Sequence, residues 1–498
     1  MQNTAVLNVM FSPKRPISLL LSLKRNLALQ QTLYFGASIA LMKGVSLLML
    51  PWLATQLSQI EFGQLETLTV LAILGSIVFA AGLEQTLYKY VGFAESDEDK
   101  RQVAATLYGL CLCVFLLVCF SFPLLTQLSQ WLLPGSADKL HIQLIIAQVA
   151  LESCIAVPLG WLRLNDRANL FFLFTAGRAV LHAMLTILFM HVIGGITAVL
   201  VAGLIAAVLQ AVGLAILQFR TSGITLDTHT LKPIILYALP VIGSGLANFP
   251  LMGLDRWLIA AYSQLDLLAS FAVAAKFSLG AVLLLQPFTM WWAPKRFTVL
   301  ASPGGHKKAL QVQLAGLSLM LFICMQIALF SPVVIAWLFP PQYALAADFI
   351  PLFLLIMLFK EATELVNIGC FCQHSTTHQF YINLSASLCG SSLMWVSAAW
   401  IASDALSVVY WVLVGLLVAQ CMRVMLFYYF SQRFLPLPYP LRRVVIASLL
   451  GISFIMYTPH IEAMSMVLIF SLSLLTLFSF LAWSSIQKRL GTTISQEQ

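Results

Sequence analysis

The sequence predicts an all-α, polytopic membrane protein with about 14 transmembrane helices, and three observations carry that prediction. The 498-residue chain is 60% hydrophobic and 9% charged, with a mean hydropathy of +0.92; a soluble domain carries about 25% charged residues. Apolar segments fall at roughly 31–57, 65–90, 103–133, 140–163, 170–193, 195–219, 231–257, 267–294, 309–338, 347–372, 380–403, 406–431, 443–459 and 463–486. Each is long enough, or nearly so, to cross a bilayer, which takes about 20 apolar residues. The third observation is where the positive charges lie. Of the 27 Lys and Arg, Lys43, Arg178, Lys276, Lys360 and Arg423 lie inside segments, Lys139 and Arg256 fall in loops on one side, and all the others fall on the opposite side. Basic residues mark cytoplasmic loops, and a miscounted segment would have inverted that bias downstream of the error. Fourteen segments with both termini cytoplasmic satisfy it. The short loops leave no room for a soluble domain, which excludes a soluble enzyme.

Residues 1–30 read as a basic cytoplasmic arm on the membrane surface. The apolar run Ile17–Leu23, flanked by Lys14-Arg15 and Lys24-Arg25, is too short and lacks the small-residue cleavage site of a signal peptide. Pro51, Pro240, Pro250, Pro287 and Pro294 lie in or at the ends of segments and are expected to bend or unwind them. Glu95-Ser96-Asp97-Glu98-Asp99 reads as a solvated cytoplasmic loop. The nine cysteines fall in or at the edges of apolar runs and imply no disulfide framework. Cys370-Phe371-Cys372-Gln373-His374 with His378 looks briefly like a metal cluster, but cysteines at i and i+2 of a helix point to opposite sides, and zinc spacings leave at least two residues between them. No metal and no cofactor are expected.

A weak repeat divides the chain. Ser58-Gln59-Ile60-Glu61 after the first segment resembles Ser263-Gln264-Leu265-Asp266 after the seventh, and Leu133-Pro134-Gly135 after the third resembles Phe339-Pro340-Pro341 after the ninth. Two parallel halves follow, an N-lobe at 31–219 and a C-lobe at 231–431, with two further helices at 443–486 and a cytoplasmic tail at 487–498. A duplicated bundle with its site between the halves is a common transporter plan.

Charges at membrane depth cost at least about 3 kcal/mol each on insertion scales and so need a reason. Lys43 lies about 18 Å into the first segment at 1.5 Å per residue, out of reach of either interface. It is expected to face the interior, as are Lys276 and Lys360. Arg178 is shallower and Arg423 lies nearer the cytoplasmic end. Glu84, Glu152, Glu361 and Glu364 are the segment acids. Lys360 and Glu364 stand i,i+4 on one face and can pair. Basic groups lining a polar cavity suit an anionic substrate, since Lys and Arg both bind phosphate oxygens. Deep carboxylates such as Glu84, Glu152 and Glu364 are candidates for proton or cation coupling; the bland alternative is a structural acid, hydrogen-bonded to a neighbour. Asp255-Arg256 at the end of the seventh segment reads either as a gate or as an exposed interface pair of small energetic weight.

Residue patterns around 51–63 and 237–297 resemble the polysaccharide/O-antigen flippases of the multidrug/oligosaccharidyl-lipid/polysaccharide exporter superfamily. They are Pro51-Trp52-Leu53 through Glu61-Phe62-Gly63, Tyr237-Ala238-Leu239-Pro240 with Leu254-Asp255-Arg256-Trp257, Ser270-Phe271-Ala272-Val273-Ala274-Ala275-Lys276-Phe277, and Gln286-Pro287-Phe288 with Trp292-Ala293-Pro294. The resemblance implies two six-helix lobes in a V around a central cavity, followed by two extra helices. It implies movement of an undecaprenyl-diphosphate-linked oligosaccharide across the bacterial inner membrane, with Lys43, Arg178 and Lys276 as cavity cations. Lys360 joins them as a substrate-binding candidate by its depth. No catalytic residue is expected, since no bond need be made or broken. The expected partners are the lipid-linked oligosaccharide and the bilayer, with a polymerase and chain-length machinery nearby; no nucleic acid is expected, and the protein should be a monomer. The competing functions are a cation-coupled multidrug exporter, a peptidoglycan-precursor flippase and, with less support, a membrane polymerase, which would need a large periplasmic loop.

Overall fold

The computed structural model describes residues 27–134, 137–371 and 377–458. Every regular element among them is helical. Lipid offers no hydrogen-bond partner to a bare backbone, so a spanning segment must satisfy its own amides, as a helix does. In chain order the helices are α1 (Leu27–Gln56), α2 (Gln59–Ser76), α3 (Gly82–Phe93), α4 (Asp97–Phe120), α5 (Phe122–Leu132), α6 (Lys139–Leu164), α7 (Ala168–Val192), α8 (Gly195–Thr221) and α9 (Thr228–Asn248). There follow α10 (Leu254–Tyr262), α11 (Leu265–Ala301), α12 (Gly305–Leu338), α13 (Ala346–Val366), α14 (Ile368–Phe371), α15 (Thr377–Val396), α16 (Ala405–Phe434) and α17 (Leu441–Tyr457). Among the described residues, 11 helices are long and apolar enough to cross a membrane. The expected segments at 347–372 and 443–459 are helices too: α13 carries Asp348, Lys360, Glu361 and Glu364, and α17 has 17 residues. The expected fourteenth segment, the tail and nearly all of the basic arm lie outside the described residues.

Several segments are less regular than their hydropathy implies, the second, third and seventh among them. The second starts earlier, at Gln59, and passes through a π-helical turn at Ile77–Ala81 that joins α2 to α3. The third is two helices, α4 and α5, separated at Ser121. Pro123 takes the second position of α5, where a missing N–H costs nothing. The seventh is broken between α9 and α10 by a 3-10 turn at Phe249–Leu251, with Pro250 inside it. Of the five prolines singled out in the sequence, Pro250 marks that break, whereas Pro51, Pro240, Pro287 and Pro294 lie within continuous helices.

The chain forms two compact units. The first comprises Met1–Met49, Phe79–Phe122 and Ile146–Val241. Its core packs Leu83, Leu87 and Val91 of α3 against Leu107 and Tyr108 of α4 and Val157 and Trp161 of α6. The second comprises Leu50–Val78, Pro123–Ile145 and Ile242–Gln498, with Trp292, Ala309, Leu365, Ile368 and Leu437 forming one of its apolar clusters. The surface of the second unit carries exposed Trp131, Trp337 and Trp400, at 85, 87 and 80%. Each lies at the end of a helical run, where amphipathic indoles settle at a membrane–water interface. Helix α11 has 37 residues and α12 has 34, lengths of about 50 Å or more at 1.5 Å per residue. Both exceed the roughly 30 Å hydrocarbon core and carry Lys295, Arg296, Lys307 and Lys308 near their shared turn.

Helix α2 belongs to the second unit and α3 to the first, so the π turn falls at the division. Ser58 starts α2 with a capping box: its hydroxyl accepts from the Glu61 amide, and its own amide donates to the Glu61 carboxylate at 2.9 Å. One turn later Gly63 meets the Leu265 carbonyl at the head of α11 so closely that a Cβ would collide with it. Gly63→Ala is therefore expected to destabilise the protein by about 1–3 kcal/mol through overpacking. Gly177→Ala, with nothing within 4 Å of the added carbon, is expected to leave thermal unfolding in detergent near that of the wild type.

Candidate functional site

Among the described residues, charges at membrane depth pair in four clusters, two in each unit. In the first unit, α3 and α6 bring Glu84 to Arg163, with Arg163 Nη1 2.6 Å from Glu84 Oε1. Tyr88, one turn beyond Glu84, donates its hydroxyl to the same oxygen at 2.7 Å and accepts from Arg163 Nη1 at 2.8 Å. The second cluster joins three helices. Arg178 of α7 reaches Glu152 of α6 through Nη2 at 2.9 Å and the side-chain oxygen of Gln210 on α8 through Nη1 at 3.0 Å. Gln210 completes the set by donating to the Phe174 carbonyl at 3.1 Å. Arg178 and Glu152 remain partly open, so the guanidinium is a fixed, forked donor with an accessible edge. Lys43 is half-buried on α1.

The second unit holds the most deeply buried cluster. Glu66 lies on the face of α2 that Phe62 and Gly63 define, and its side chain is only 3% exposed. Oε1 accepts from Lys276 Nζ at 2.5 Å and Oε2 from Arg256 Nε at 3.1 Å. Asp255 Oδ1 stands 3.8 Å from Arg256 Nη1 and accepts no hydrogen bond among the described residues. The Lys276 ammonium lies 5.2 Å from the centroid of the Phe62 ring, within cation–π range. Trp257, next to Arg256, donates its indole N–H to the Thr67 carbonyl at 3.2 Å. The 3-10 break places these groups: it turns the chain so that α10 starts afresh at Leu254, with Asp255 and Arg256 in its first turn. Asp255 is buried, and the exposed interface pair allowed by the sequence is corrected accordingly.

The fourth cluster joins α13, α15 and α16. Arg423 donates to Asn383 Oδ1 at 2.8 Å through Nε, and its Nη2 stands 3.4 Å from Glu364 Oε1. Asn367 donates to the other Glu364 oxygen at 3.2 Å. The pairing of Glu364 with Lys360 that their i,i+4 spacing allows does not form; Glu364 meets Arg423 and Asn367 instead. Among the described residues Lys360 is exposed and makes no salt bridge. Of the Cys370–His378 motif, Cys370 is buried beside the Phe427 carbonyl and His378 rests against Phe430 and Phe434; Cys372, Gln373 and His374 lie outside the described residues.

Sequence reasoning missed Glu66, Gln210, Asn383 and Tyr88. A signal for Glu66 was present: the Ser58/Glu61 capping box fixes the helix start at Gln59, which puts Glu66 two turns inside. The amides and the tyrosine carry no formal charge, and nothing in their spacing marks them.

The described residues, helical in every regular element and with 11 helices long and apolar enough to cross a membrane, define a polytopic membrane protein. The chain matches the family described as polysaccharide biosynthesis protein over residues 28–295, more than half its length, and belongs to that family. Its fold is similar to that of the lipid II flippase MurJ in an inward closed conformation (TM-score 0.68, 14% identity, 91% of this chain and 98% of that one). It is also similar to a MATE transporter in complex with MaL6 (TM-score 0.55, 17% identity, 81% of this chain and 96% of that one). An inward-facing multidrug resistance MATE transporter of the MOP superfamily gives a TM-score of 0.53 at 17% identity, over 81% of this chain and 95% of that one. No curated protein matches the sequence significantly. The chain is thus a member of the polysaccharide biosynthesis protein family with a fold similar to those of MurJ and the MATE transporters.

Removing one partner from a buried ion pair leaves the other charge uncompensated, at a cost of about 3–5 kcal/mol. Glu66→Gln strands Lys276 and Arg256 together and is expected to lower the melting temperature more than Glu84→Gln or Glu364→Gln, whose carboxylates are far more open. Lys360→Gln is expected to leave it unchanged. Thermal unfolding of the four purified variants in one detergent checks the order.

Proposed function

We propose that the protein is a flippase for an undecaprenyl-diphosphate-linked oligosaccharide, an O-antigen or exopolysaccharide repeat unit, in the bacterial inner membrane. The observation that carries this reading is the family match over residues 28–295, taken with cations placed at membrane depth. Lys43, Arg178 and Lys276 serve as counter-charges for the diphosphate, and Lys360 is a further cation on α13. The glycan crosses in water and the polyprenyl tail stays in lipid, with access alternating between the two sides. No bond is made or broken. Glu84, Glu152 and Glu364 are the carboxylates available for ion coupling. The distribution of Lys and Arg favours cytoplasmic termini. The released repeat unit passes to a polymerase and its chain-length machinery, and the flippase works as a monomer.

The fold similarity to MurJ, at a TM-score of 0.68, favours a peptidoglycan-precursor flippase as the second reading. The similarity to MATE transporters at 0.55 and 0.53 keeps a drug exporter third. Leaflet-specific accumulation of the lipid-linked glycan in cells lacking the protein separates them. The expected result is glycan trapped in the inner leaflet and lost surface polysaccharide, restored by the wild type but not by Lys43→Ala. Normal export in the deletion strain, with no paralogue substituting, would remove the flippase reading in favour of the exporter. Accumulated peptidoglycan precursor instead would install the second reading.

A further inference from the structure

The Glu66 cluster presents its cations and its anion unequally. Glu66 is 3% exposed, whereas the Lys276 side chain is 29% exposed and that of Arg256 17%. An anion arriving from the open side of Lys276 therefore meets the ammonium before it meets the carboxylate. We propose that Glu66 is an internal counter-anion, occupying Lys276 and Arg256 while the substrate is absent. The diphosphate of the substrate displaces it and thereby frees helix α2 from the second unit. The proposal rests on the flippase reading and adds to it the step that couples substrate arrival to a helix movement.

Three features support the exchange. A diphosphate brings more charge and more acceptor oxygens than one carboxylate, and both Lys and Arg bind such oxygens well. Arg256 does not depend on Glu66 alone, because Asp255 lies 3.8 Å away with an oxygen that accepts no hydrogen bond among the described residues. The third feature is the position of Glu66 itself. A carboxylate stripped of its cations at membrane depth is costly, so a displaced Glu66 is driven toward water. The start of α2 at Gln59 is about 10 Å away along the helix at 1.5 Å per residue, and that is the short route to water. Movement of α2 in that direction breaks neutral contacts, such as the Gln59 amide to the Gln342 carbonyl and the Trp257 indole to the Thr67 carbonyl. The π turn at Ile77–Ala81 interrupts the regular α-helical hydrogen-bond ladder between α2 and α3, which is where such a movement would be absorbed.

Full-length protein in nanodiscs, titrated with undecaprenyl diphosphate and with uncharged undecaprenol, tests the exchange. Removing the internal competitor in Glu66→Gln is expected to tighten diphosphate binding about tenfold, the scale of one charge-assisted contact, with undecaprenol unaffected. Lys276→Gln is expected to weaken it by about the same factor. A second measurement keeps Glu66 in place and replaces the nine native cysteines, with Thr67→Cys as a probe at a buried position on α2. Undecaprenyl diphosphate is expected to raise maleimide labelling of that cysteine severalfold, and undecaprenol to leave it unchanged. If Glu66→Gln fails to fold, the labelling decides alone. Equal or weaker diphosphate binding by Glu66→Gln, or labelling indifferent to the diphosphate, overturns the exchange and leaves the flippase reading intact, provided the wild type prefers diphosphate to undecaprenol. A wild type without that preference overturns both.

Discussion

Hydrocarbon offers neither hydrogen bonds nor counter-ions, and most of this structure follows from that. The backbone answers by coiling into helices that satisfy their own amides. The side chains answer by pairing: Arg178 finds Glu152 and Gln210, Arg423 finds Asn383 and Glu364, and Glu66 takes both Lys276 and Arg256. Each of these contacts joins different helices, so the charges that make insertion costly also specify which helices pack together. Replacing a paired set by apolar groups of like shape can be neutral for stability, so these sets are weak evidence for stability and stronger evidence for which helices meet.

The clusters differ in what they leave available. Arg178, Glu152 and Lys276 are partly open, Glu364 is largely open while its Arg423 is nearly enclosed, and of these carboxylates Glu66 alone is enclosed beside a partly open cation. An open cation backed by a hidden anion is held in one place yet can still be reached. Phe62, facing the Lys276 ammonium, holds it without neutralising it.

Much of the fold was legible because hydropathy is a local property. Segment after segment matches a helix, and two sequence repeats fall at helix starts: Ser58 caps α2, and Gln264 precedes α11. The pairing was not legible. Spacing rules see neighbours one turn apart, so they joined Lys360 to Glu364; the contacts that form span 26, 59, 190 and 210 residues of chain. The individual charges Lys276, Arg178, Glu84 and Glu152 stood out by their cost in lipid. Glu66 did not, because a boundary drawn by hydropathy placed it at the edge of its segment when the capping box puts it inside. Prolines misled in the same way: five were conspicuous, and the break that positions Arg256 is at Pro250 alone.

The π turn between α2 and α3 also has a geometric effect. A π turn accommodates one residue more than the regular spiral, and each residue advances a helix by about 100°. Phe62, Glu66 and Val70 before the turn are buried in the second unit, and Leu83, Leu87 and Val91 after it are buried in the first. The single surplus residue thus acts as a phase shifter between the buried stripe before the turn and the buried stripe after it. Deleting any one residue of 77–81 would restore a continuous spiral and turn the buried stripe of α3 by about 100° relative to that of α2, although no residue of either stripe had changed.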